Sequence, residues 1–381
     1  MSPERAGEPA GIYVHLPYCR SRCGYCAFVV TTDVSARAEY FSALAREIQI
    51  LRTEAEGARF DSIYLGGGTP SFVSTEEMAS LLGSLHRSFG IVPSAEVTIE
   101  ANPDDVGPDS GETWASLGVN RISLGVQSLI DSELAAVGRR HDASGARRAL
   151  ENLARTGLSL SADLILGLPG QTAESFAESV EEICRYGVTH LSVYLLETEK
   201  SKTIEEDRRQ HPERYLSDDE QADAWLALGE RLGRAELGHY EVSNWAIPGR
   251  EARHNLKYWR RVPTLGLGVS AHELWRGRRR ANVSALPGYL TALAEGRRPV
   301  ALDNPIDEDE AAREEIVLGL RLSEGVPWSE IQSWLASHPD PALEEDLESW
   351  QEAGLLTRHD GRLRLTERGF LVSNEILCRF V

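Results

Sequence analysis

The sequence has few of the features that would assign it to a class at once. No apolar run approaches the ~18–20 residues of a membrane-spanning helix, and the opening "MSPERAGEPAG" has no apolar core like that of a signal peptide. Positive charge is also scarce, because 40 Lys and Arg face 59 Asp and Glu and the net charge is −19. An acidic surface repels nucleic acid and anionic lipid. We therefore expect a cytoplasmic protein with no nucleic-acid partner and at most peripheral membrane contact.

Cysteine is scarce too, yet three of the five cysteines stand close together. The stretch "YVHLPYCRSRCGYCAF" places Cys19, Cys23 and Cys26 at C-x3-C-x2-C spacing. In a large intracellular chain this predicts a metal site or redox chemistry rather than a disulfide framework. A structural zinc site needs a fourth ligand, and none is apparent nearby. A [4Fe–4S] cluster on three cysteines would leave one iron open to an exogenous ligand. Buried, unreactive cysteines are the plainer alternative, which we also expect for Cys184 and Cys378.

Strand-like and helix-like segments alternate as far as residue 240. The strand candidates are "GIYVHLP", "FDSIYLGGG", "AEVTIEANP", "RISLGVQS", "LSADLILGLPG" and "HLSVYLLETE". Strands that alternate with amphipathic helices indicate βαβ units and a parallel sheet. Six units favour an α/β fold of the barrel type, complete or partial, over an open doubly wound sheet. We assign residues 1–240 to this domain.

The predicted strands start apolar and end in glycine or a polar residue. In a parallel α/β barrel the carboxyl ends of the strands form the mouth of the active site, so these residues should converge there with the cysteine loop. The residues concerned are Gly66, Gly67, Gly68, Thr69, Glu100, Gln127 and Asp163.

The remainder of the chain divides into two parts. Residues 241–305 form a connecting region rich in aromatic residues, histidine and arginine, which contains "HNLKYW" at 254–259. Residues 306–381 predict helices and a hairpin with Asp-Gly at its turn, which together suggest a helical, winged-helix-like domain. This shape often binds DNA, but the segment is acidic, so we expect a packing or partner role.

The cysteine spacing, with Tyr25 before the last cysteine and "LGGGTP" after the next strand, resembles the radical S-adenosylmethionine (SAM) superfamily. The resemblance implies a partial (β/α)6 TIM-like barrel that binds a [4Fe–4S] cluster through Cys19, Cys23 and Cys26. It also implies that the open iron holds the methionine end of S-adenosyl-L-methionine, which an electron splits to a 5′-deoxyadenosyl radical. By the same resemblance the cofactor-binding positions are Tyr13, Tyr25, Gly67, Gly68, Thr69, Glu100, Gln127, Arg139 and Asp163.

Over nearly the whole chain, "YVHLPYC", "GGGTP", "TIEANP", "LGVQS" and "ADLILGLPGQT" resemble the oxygen-independent coproporphyrinogen III oxidase family. Two departures favour its heme chaperone branch, HemW. Oxidases of the family carry a further cysteine where this chain has Phe28, and a longer arm than the twelve residues before Tyr13. We therefore expect S-adenosylmethionine cleavage to be possible and coproporphyrinogen oxidation to be absent. The alternatives are that oxidase itself and a radical methyltransferase or cyclopropanase on the same scaffold.

Heme is the expected cargo, and "HNLKYW" matches the H-N-x-x-Y-W signature of the heme chaperone branch. Imidazole is the usual axial ligand of heme iron, so His254 is the candidate ligand, with Tyr258 and Trp259 as flat apolar surfaces. His15 and His272 are rival ligands. The expected partners are heme, apoproteins that accept it, and a reductant for the cluster. Arg278–Arg280 could meet propionates, although a basic surface turn is the simpler interpretation.

Overall fold

The six predicted strands are present, and nine further strands follow them. The computed structural model describes residues 8–381. Its strands are β1 (Ala10–Leu16), β2 (Arg59–Gly67), β3 (Gly90–Ala101), β4 (Arg121–Gln127), β5 (Ser159–Leu166), β6 (His190–Leu195), β7 (Gly238–Glu241), β8 (Asn244–Ala246), β9 (Thr264–Leu267), β10 (His272–Trp275), β11 (Arg278–Asn282), β12 (Val300–Pro305), β13 (Val326–Pro327), β14 (Leu356–His359) and β15 (Arg362–Leu365).

Several helices begin where the sequence supplies a side chain that can satisfy free backbone amides. Capping boxes start two of the longer helices, at Ser74 with Glu77 and at Ser217 with Glu220. The helices are α1 (Arg37–Glu54), α2 (Thr75–Ser88), α3 (Ser110–Ser116), α4 (Asp131–Ala136), α5 (Ala143–Ala154), α6 (Ala173–Cys184), α7 (Lys202–Gln210), α8 (Asp218–Gly233), α9 (Arg253–Trp259), α10 (Leu286–Ala294), α11 (Glu308–Gly319), α12 (Trp328–Ser337), α13 (Pro341–Glu352), α14 (Glu367–Leu371) and α15 (Ser373–Leu377).

Strands β1 to β6 pair in chain order and in parallel, which confirms the predicted partial (β/α)6 barrel. The sheet continues past both edges of this unit. On one side β9 pairs in parallel with β1, and β10, β11 and β12 follow in antiparallel fashion. On the other side β8 and β7 follow β6. The order is linear, so the barrel does not close. Strands β8 to β12, which all lie within residues 241–305, therefore extend the barrel sheet.

The barrel strands are apolar on the outer face and polar on the inner face. Successive side chains point to opposite faces, and Ile12, Val14 and Leu16 of β1 are buried in the core beneath the helices. The rings of Tyr13 and Tyr64 are 6.2 Å apart on the inner face. An ordinary α/β barrel fills its centre with branched apolar residues, whereas this centre is a polar lumen. Its inward side chains are Tyr13, His15, Ser62, Tyr64, Thr98, Glu100, Arg121, Ser123, Ser161, Asp163, His190, Ser192 and Tyr194.

A buried carboxylate fastens the extended edge of the sheet to the first helix. Glu47 of α1 is fully enclosed and accepts three hydrogen bonds. They come from Tyr289 Oη (2.7 Å), Asn282 Nδ2 (2.6 Å) and the Gly268 amide (2.8 Å). These donors lie in α10, in β11 and directly after β9. We call this arrangement the Glu47 latch.

The C-terminal part has the predicted helical and winged character. Strands β14 and β15 form a hairpin whose turn residues, Asp360 and Gly361, both have positive φ (50° and 72°), as an Asp-Gly turn requires. Strand β13 pairs with β15 to complete a three-stranded sheet. A separate apolar core, with Ile316, Leu363 and Phe370 among its members, holds this sheet to α11–α15.

The two isolated cysteines differ from each other. Cys184 is half-buried and packs against the main core, as expected. The prediction that Cys378 is a core residue is wrong, because this cysteine is exposed on the last turn of the chain. Within residues 8–381, no helix combines the length and the hydropathy that a membrane crossing needs.

Candidate functional site

The cysteine loop follows β1 and is fixed by main-chain hydrogen bonds. The Cys19 amide donates to Thr31 O (2.9 Å), which ties the start of the loop to its end. Midway, the Gly24 amide donates to Val137 O (2.9 Å), and the Ser201 hydroxyl donates to Gly24 O. The loop is therefore fixed by hydrogen bonds at its base and to two other segments of the chain, without the help of a ligand.

Tyr25 anchors the same loop through its ring. It packs on a small apolar cluster that is separate from the main core and consists of Val137, Ile165, Leu168 and Ile204. Burial raises the pKa of the Tyr25 phenol above its ordinary value, so the hydroxyl stays neutral. The aromatic residue between the second and third cysteines thus has a structural role beside the thiols.

A continuous chain of hydrogen bonds joins two of the cysteine sulfurs. Thr69 Oγ1 donates to Cys19 Sγ (3.4 Å) and accepts from Asn102 Nδ2 (3.1 Å). Arg139 donates from Nη2 to Asn102 Oδ1 (2.8 Å) and from Nη1 to Cys23 Sγ (3.5 Å). We call this arrangement the polar chain. Hydrogen bonds to sulfur stabilise thiolates and tune the potential of any cluster that they hold.

Asn102 links the two halves of the polar chain, and the sequence analysis missed it. Asn102 follows β3 immediately before Pro103, just as Thr69 precedes Pro70 after β2. A polar residue before proline at a strand end was therefore the available signal. Arg139 also donates to Gly125 O (2.6 Å), which fixes its guanidinium beneath the cysteine loop.

Glu100 lies on the inner face near the end of β3 and is bonded within the chain. Its carboxylate accepts from Tyr64 Oη (2.9 Å) and from the Gly67 amide (3.0 Å). Burial raises the pKa of Glu100 to about 7, because the loss of solvation disfavours the carboxylate more than the two hydrogen bonds stabilise it. A nearby cation would favour the ionised form.

Asp163 and Gln127 reach the same space from neighbouring strands. Asp163 accepts from Ser123 Oγ at 3.0 Å on both oxygens, and burial again raises its pKa. Gln127 ends β4 with φ of 68°, in the left-handed region, where the pairing of β4 with β5 is irregular. Strained non-glycine backbone is uncommon and concentrates at functional sites. The structure therefore brings Glu100, Gln127, Arg139 and Asp163 to one region, as predicted.

The glycines after β2 are needed by the fold itself. A Cβ at Gly67 would lie 2.5 Å from the His15 ring, and Gly67 has φ of 108°. A Cβ at Gly68 would lie 2.7 Å from Leu16 O and from the Pro17 carbonyl carbon. Close packing of this turn on the end of β1 accounts for both residues, whether or not a ligand also approaches them.

Helix α9, which carries "HNLKYW", closes the lumen at the start of the strands. The amides of Arg253 and His254 donate to the carboxylate of Glu96 in the middle of β3 (both 3.0 Å), which caps the helix. The His254 ring lies beside Tyr64 of β2, with 5.4 Å between ring centroids. The segment is thus part of the barrel floor.

Both ring nitrogens of His254 are engaged in hydrogen bonds. Nδ1 bonds the Ser62 hydroxyl (2.9 Å) and Nε2 bonds the Tyr258 hydroxyl (2.9 Å). The residue is 0% exposed, and burial, aided by Lys257, lowers its pKa to about 3. His254 is therefore a neutral imidazole, and it could bind iron only after giving up one of these partners.

The other candidate heme contacts differ in their exposure. Both nitrogens of His15 are bonded, to the Tyr13 hydroxyl (3.1 Å) and to Val29 O (2.8 Å), whereas His272 is exposed on β10. The three arginines at 278–280 lie in β11 rather than in a turn. Each is paired with carboxylates, which include those of Asp303, Glu273 and Glu314.

Two family models match the chain. The one described as the radical SAM superfamily matches residues 13–183, and the one described as the HemN C-terminal domain matches residues 306–372. A curated relative from Mycobacterium tuberculosis, named heme chaperone HemW, is 33% identical over 97% of this chain and 94% of its own length. The chain belongs to the HemW family of radical SAM proteins. The family resemblance found in the sequence is thereby confirmed.

Further comparisons agree with HemW membership. A HemW protein from Bacillus subtilis is 31% identical over 97% of this chain and 98% of its own length. Among solved structures, coproporphyrinogen III oxidase (HemN) from Escherichia coli superposes with a TM-score of 0.83 over 98% of this chain and 90% of its own. That pair is 24% identical, so the likeness shows a common fold for HemW and HemN chains.

Membership of the radical SAM superfamily implies a [4Fe–4S] cluster and S-adenosylmethionine, and the HemW cysteine loop fits the cluster. Cys19 and Cys23 receive hydrogen bonds from Thr69 and Arg139, which suit sulfurs that become thiolates. Among residues 8–381 no group of three ligating side chains is placed for a single metal ion. Each cysteine of a three-cysteine cubane binds a different iron, so the sulfurs need not converge on one point. When bound, such a cluster supplies one electron.

Proposed function

We propose that this chain binds heme and transfers it to apoproteins. The observation that carries the proposal is near full-length similarity to relatives named heme chaperone HemW, at 33% and 31% identity in two of them. Heme-accepting apoproteins and a reductant for the cluster are its proposed partners, and the cytoplasm is its proposed location.

Phe28 supports the chaperone over the oxidase. It stands where the oxidases of the resemblance carry a further cysteine, and its side chain is 68% exposed just beyond the cluster loop. An exposed phenyl ring offers neither a thiol nor a hydrogen bond at that point. The fold shared with HemN does not weigh against this, since fold alone does not assign function.

We further propose that the polar residues at the cysteine end of the lumen bind S-adenosylmethionine. Glu100 and Asp163 provide acceptors for ammonium and hydroxyl groups, and Arg139 provides a cation beneath the loop. The remaining members of the proposed set lie on the inner face of β1, at the ends of β2 and β4, and in the loops that follow β1 and β2, namely Tyr13, Gly67, Gln127, Tyr25, Gly68 and Thr69.

Replacing Glu100 or Asp163 by alanine should weaken S-adenosylmethionine binding about tenfold or more. Each change removes a charge-assisted hydrogen bond, which is worth about 1.5–3 kcal/mol. Equilibrium binding to the anaerobically reconstituted protein measures the effect, and Glu112→Gln on the exposed face of α3 serves as the charge control. Unchanged affinity in both variants would overturn the proposed cofactor site.

The affinity should also depend on pH through Glu100. Because burial raises the pKa of Glu100 to about 7, a ligand ammonium group should bind more tightly as pH rises from about 6 to 8 and the carboxylate ionises. Glu100→Gln should flatten this dependence. If the slope persists in the variant, another group is responsible for it.

Heme binding and porphyrin oxidation can be separated in one reconstituted sample. We expect heme to bind with a shift of the Soret band, and coproporphyrinogen III to remain unchanged in the presence of reductant and S-adenosylmethionine. Steady formation of protoporphyrinogen IX would contradict the chaperone proposal and support the oxidase function instead. If neither porphyrin binds, methyl-transfer substrates become the next candidates.

The role of His254 needs a separate comparison. If this imidazole binds the iron, His254→Ala should weaken heme binding or change the spin state, because the axial field is lost. Tyr258→Phe should strengthen binding, since it frees Nε2 from its present partner. If both variants bind heme with the wild-type spectrum, His254 serves only the barrel floor.

A further inference from the structure

Arg121 is a buried cation in the lumen that lacks a partner among residues 8–381. It is the first residue of β4, on the inner face, and it is 3% exposed. Its Nε is enclosed without a hydrogen-bond acceptor, and within residues 8–381 its guanidinium forms no hydrogen bond or ion pair. A buried charge without a partner is costly, so this arrangement points to a ligand.

Two carboxyl groups on the inner face that could neutralise Arg121 already have other partners. Glu100 is bonded to Tyr64 and Gly67, and Asp163 is bonded to Ser123. Arg121 acts on both carboxyl groups only at a distance, where its charge partly offsets the rise in pKa that burial causes.

The side chains on the floor are also paired with each other. His190 bonds the Ser161 hydroxyl through Nδ1 (2.8 Å) and the Tyr240 hydroxyl through Nε2 (2.8 Å). Burial lowers the pKa of His190 far below its ordinary value, with Arg121 acting in the same direction, so the ring is neutral. Nothing on this floor neutralises the guanidinium at contact distance.

The lumen into which Arg121 points has aromatic walls. Tyr194 points inward from β6 yet is 45% exposed, and Tyr258 of α9 is 40% exposed. Their surroundings nevertheless desolvate both phenols and raise the pKa of each above its ordinary value. A side chain that is accessible to solvent and still enclosed by protein lies on the wall of an internal space. This space offers flat apolar rings in the same lumen as the cation.

We propose that Arg121 binds a carboxylate of the cargo, namely a propionate of heme inserted into the lumen. This inference rests on the proposed function. A planar, mainly apolar ligand with peripheral carboxylates matches the tyrosine walls and the unpaired guanidinium, since arginine binds carboxylates in bidentate fashion.

The methionine carboxylate of S-adenosylmethionine is the other possible source of such a group. It is less suitable, because the cofactor site is expected at the cysteine end, where Gln127 ends β4. Arg139 already supplies a cation at that end, where it donates to Asn102 and to Cys23. Arg121, by contrast, starts the same strand β4 at the floor.

The test compares hemin with hemin dimethyl ester, whose propionates are masked, on the reconstituted full-length protein. Wild type should bind hemin at least about tenfold more tightly than the ester. Arg121→Gln should lose this preference by weakening hemin binding alone. Arg59→Gln, an exposed arginine that starts β2, should keep it. Cluster absorption and thermal unfolding verify that each variant is folded. The comparison of hemin with its dimethyl ester on the wild type does not depend on the folding of any variant.

Each outcome has a separate meaning. If wild type binds neither porphyrin, the proposed function fails. If wild type binds both equally, or if Arg121→Gln keeps the preference for hemin, the assignment of Arg121 is overturned while heme binding stands. If Arg121→Gln weakens S-adenosylmethionine binding and leaves hemin binding unchanged, the carboxylate belongs to the cofactor and the propionate proposal is overturned.

Discussion

Alanine at Cys19, Cys23 or Cys26 should abolish the visible absorption of the anaerobically reconstituted protein. About four irons should bind to the wild type through these three thiolates. A cubane held by three protein ligands has no spare one, so the loss of any single ligand should be complete rather than partial. Iron content and absorption measured on the same sample give the result.

Cys184→Ala and Cys378→Ala are the matched controls. Cys184 packs against the main core and Cys378 is exposed at the end of the chain, so neither belongs to the loop. Both variants should keep the full absorption. A loss on changing Cys184 equal to that on changing Cys19 would refute the cluster assignment.

Glu47→Ala should lower the free energy of unfolding by about 2–6 kcal/mol. The change leaves Tyr289 Oη and the Gly268 N–H without their acceptor, while Asn282 Nδ2 keeps its second acceptor, Gly268 O. Each unsatisfied buried group costs about 1–3 kcal/mol. Denaturant unfolding of the cluster-free protein measures the loss and separates it from any effect of cofactor binding.

Glu39→Ala provides the control for this prediction, because Glu39 is an exposed acid on the same helix. It should change stability by no more than about 0.5 kcal/mol. A Glu47→Ala protein as stable as Glu39→Ala would mean that the Glu47 latch does not hold the extended edge of the sheet.

The sequence predicted the six barrel strands because their outward residues form regular apolar patterns. Ile12, Val14 and Leu16 alternate with polar neighbours, and alternation of this kind identifies a strand. It does not say what the polar face meets. Tyr13 and Glu100 look like residues on a solvated sheet face, and only the curvature of the sheet places them inside a lumen.

Contacts between distant parts of the chain were not predictable from local patterns. Strand β9 pairs with β1 across some 250 residues, and no local pattern encodes that choice. The burial of His254 also depends on a distant part of the chain, because its partner Ser62 lies in β2. The role of Asn102 was not predictable for a related reason, because this residue bridges Thr69 and Arg139, which are distant in the sequence.

The barrel is apolar on its outer face and polar on its inner face. This arrangement separates the residues that stabilise the fold from those proposed to contact ligands. Core residues such as Ile12 and Leu164 lie on the outer face, while Arg121 and Tyr194 lie on the inner face. A substitution inside the lumen removes little packing from the core, so it need not cost the fold much stability. During evolution, new ligand preferences can therefore arise on this scaffold by single changes to the inner face while the outer layer is left intact.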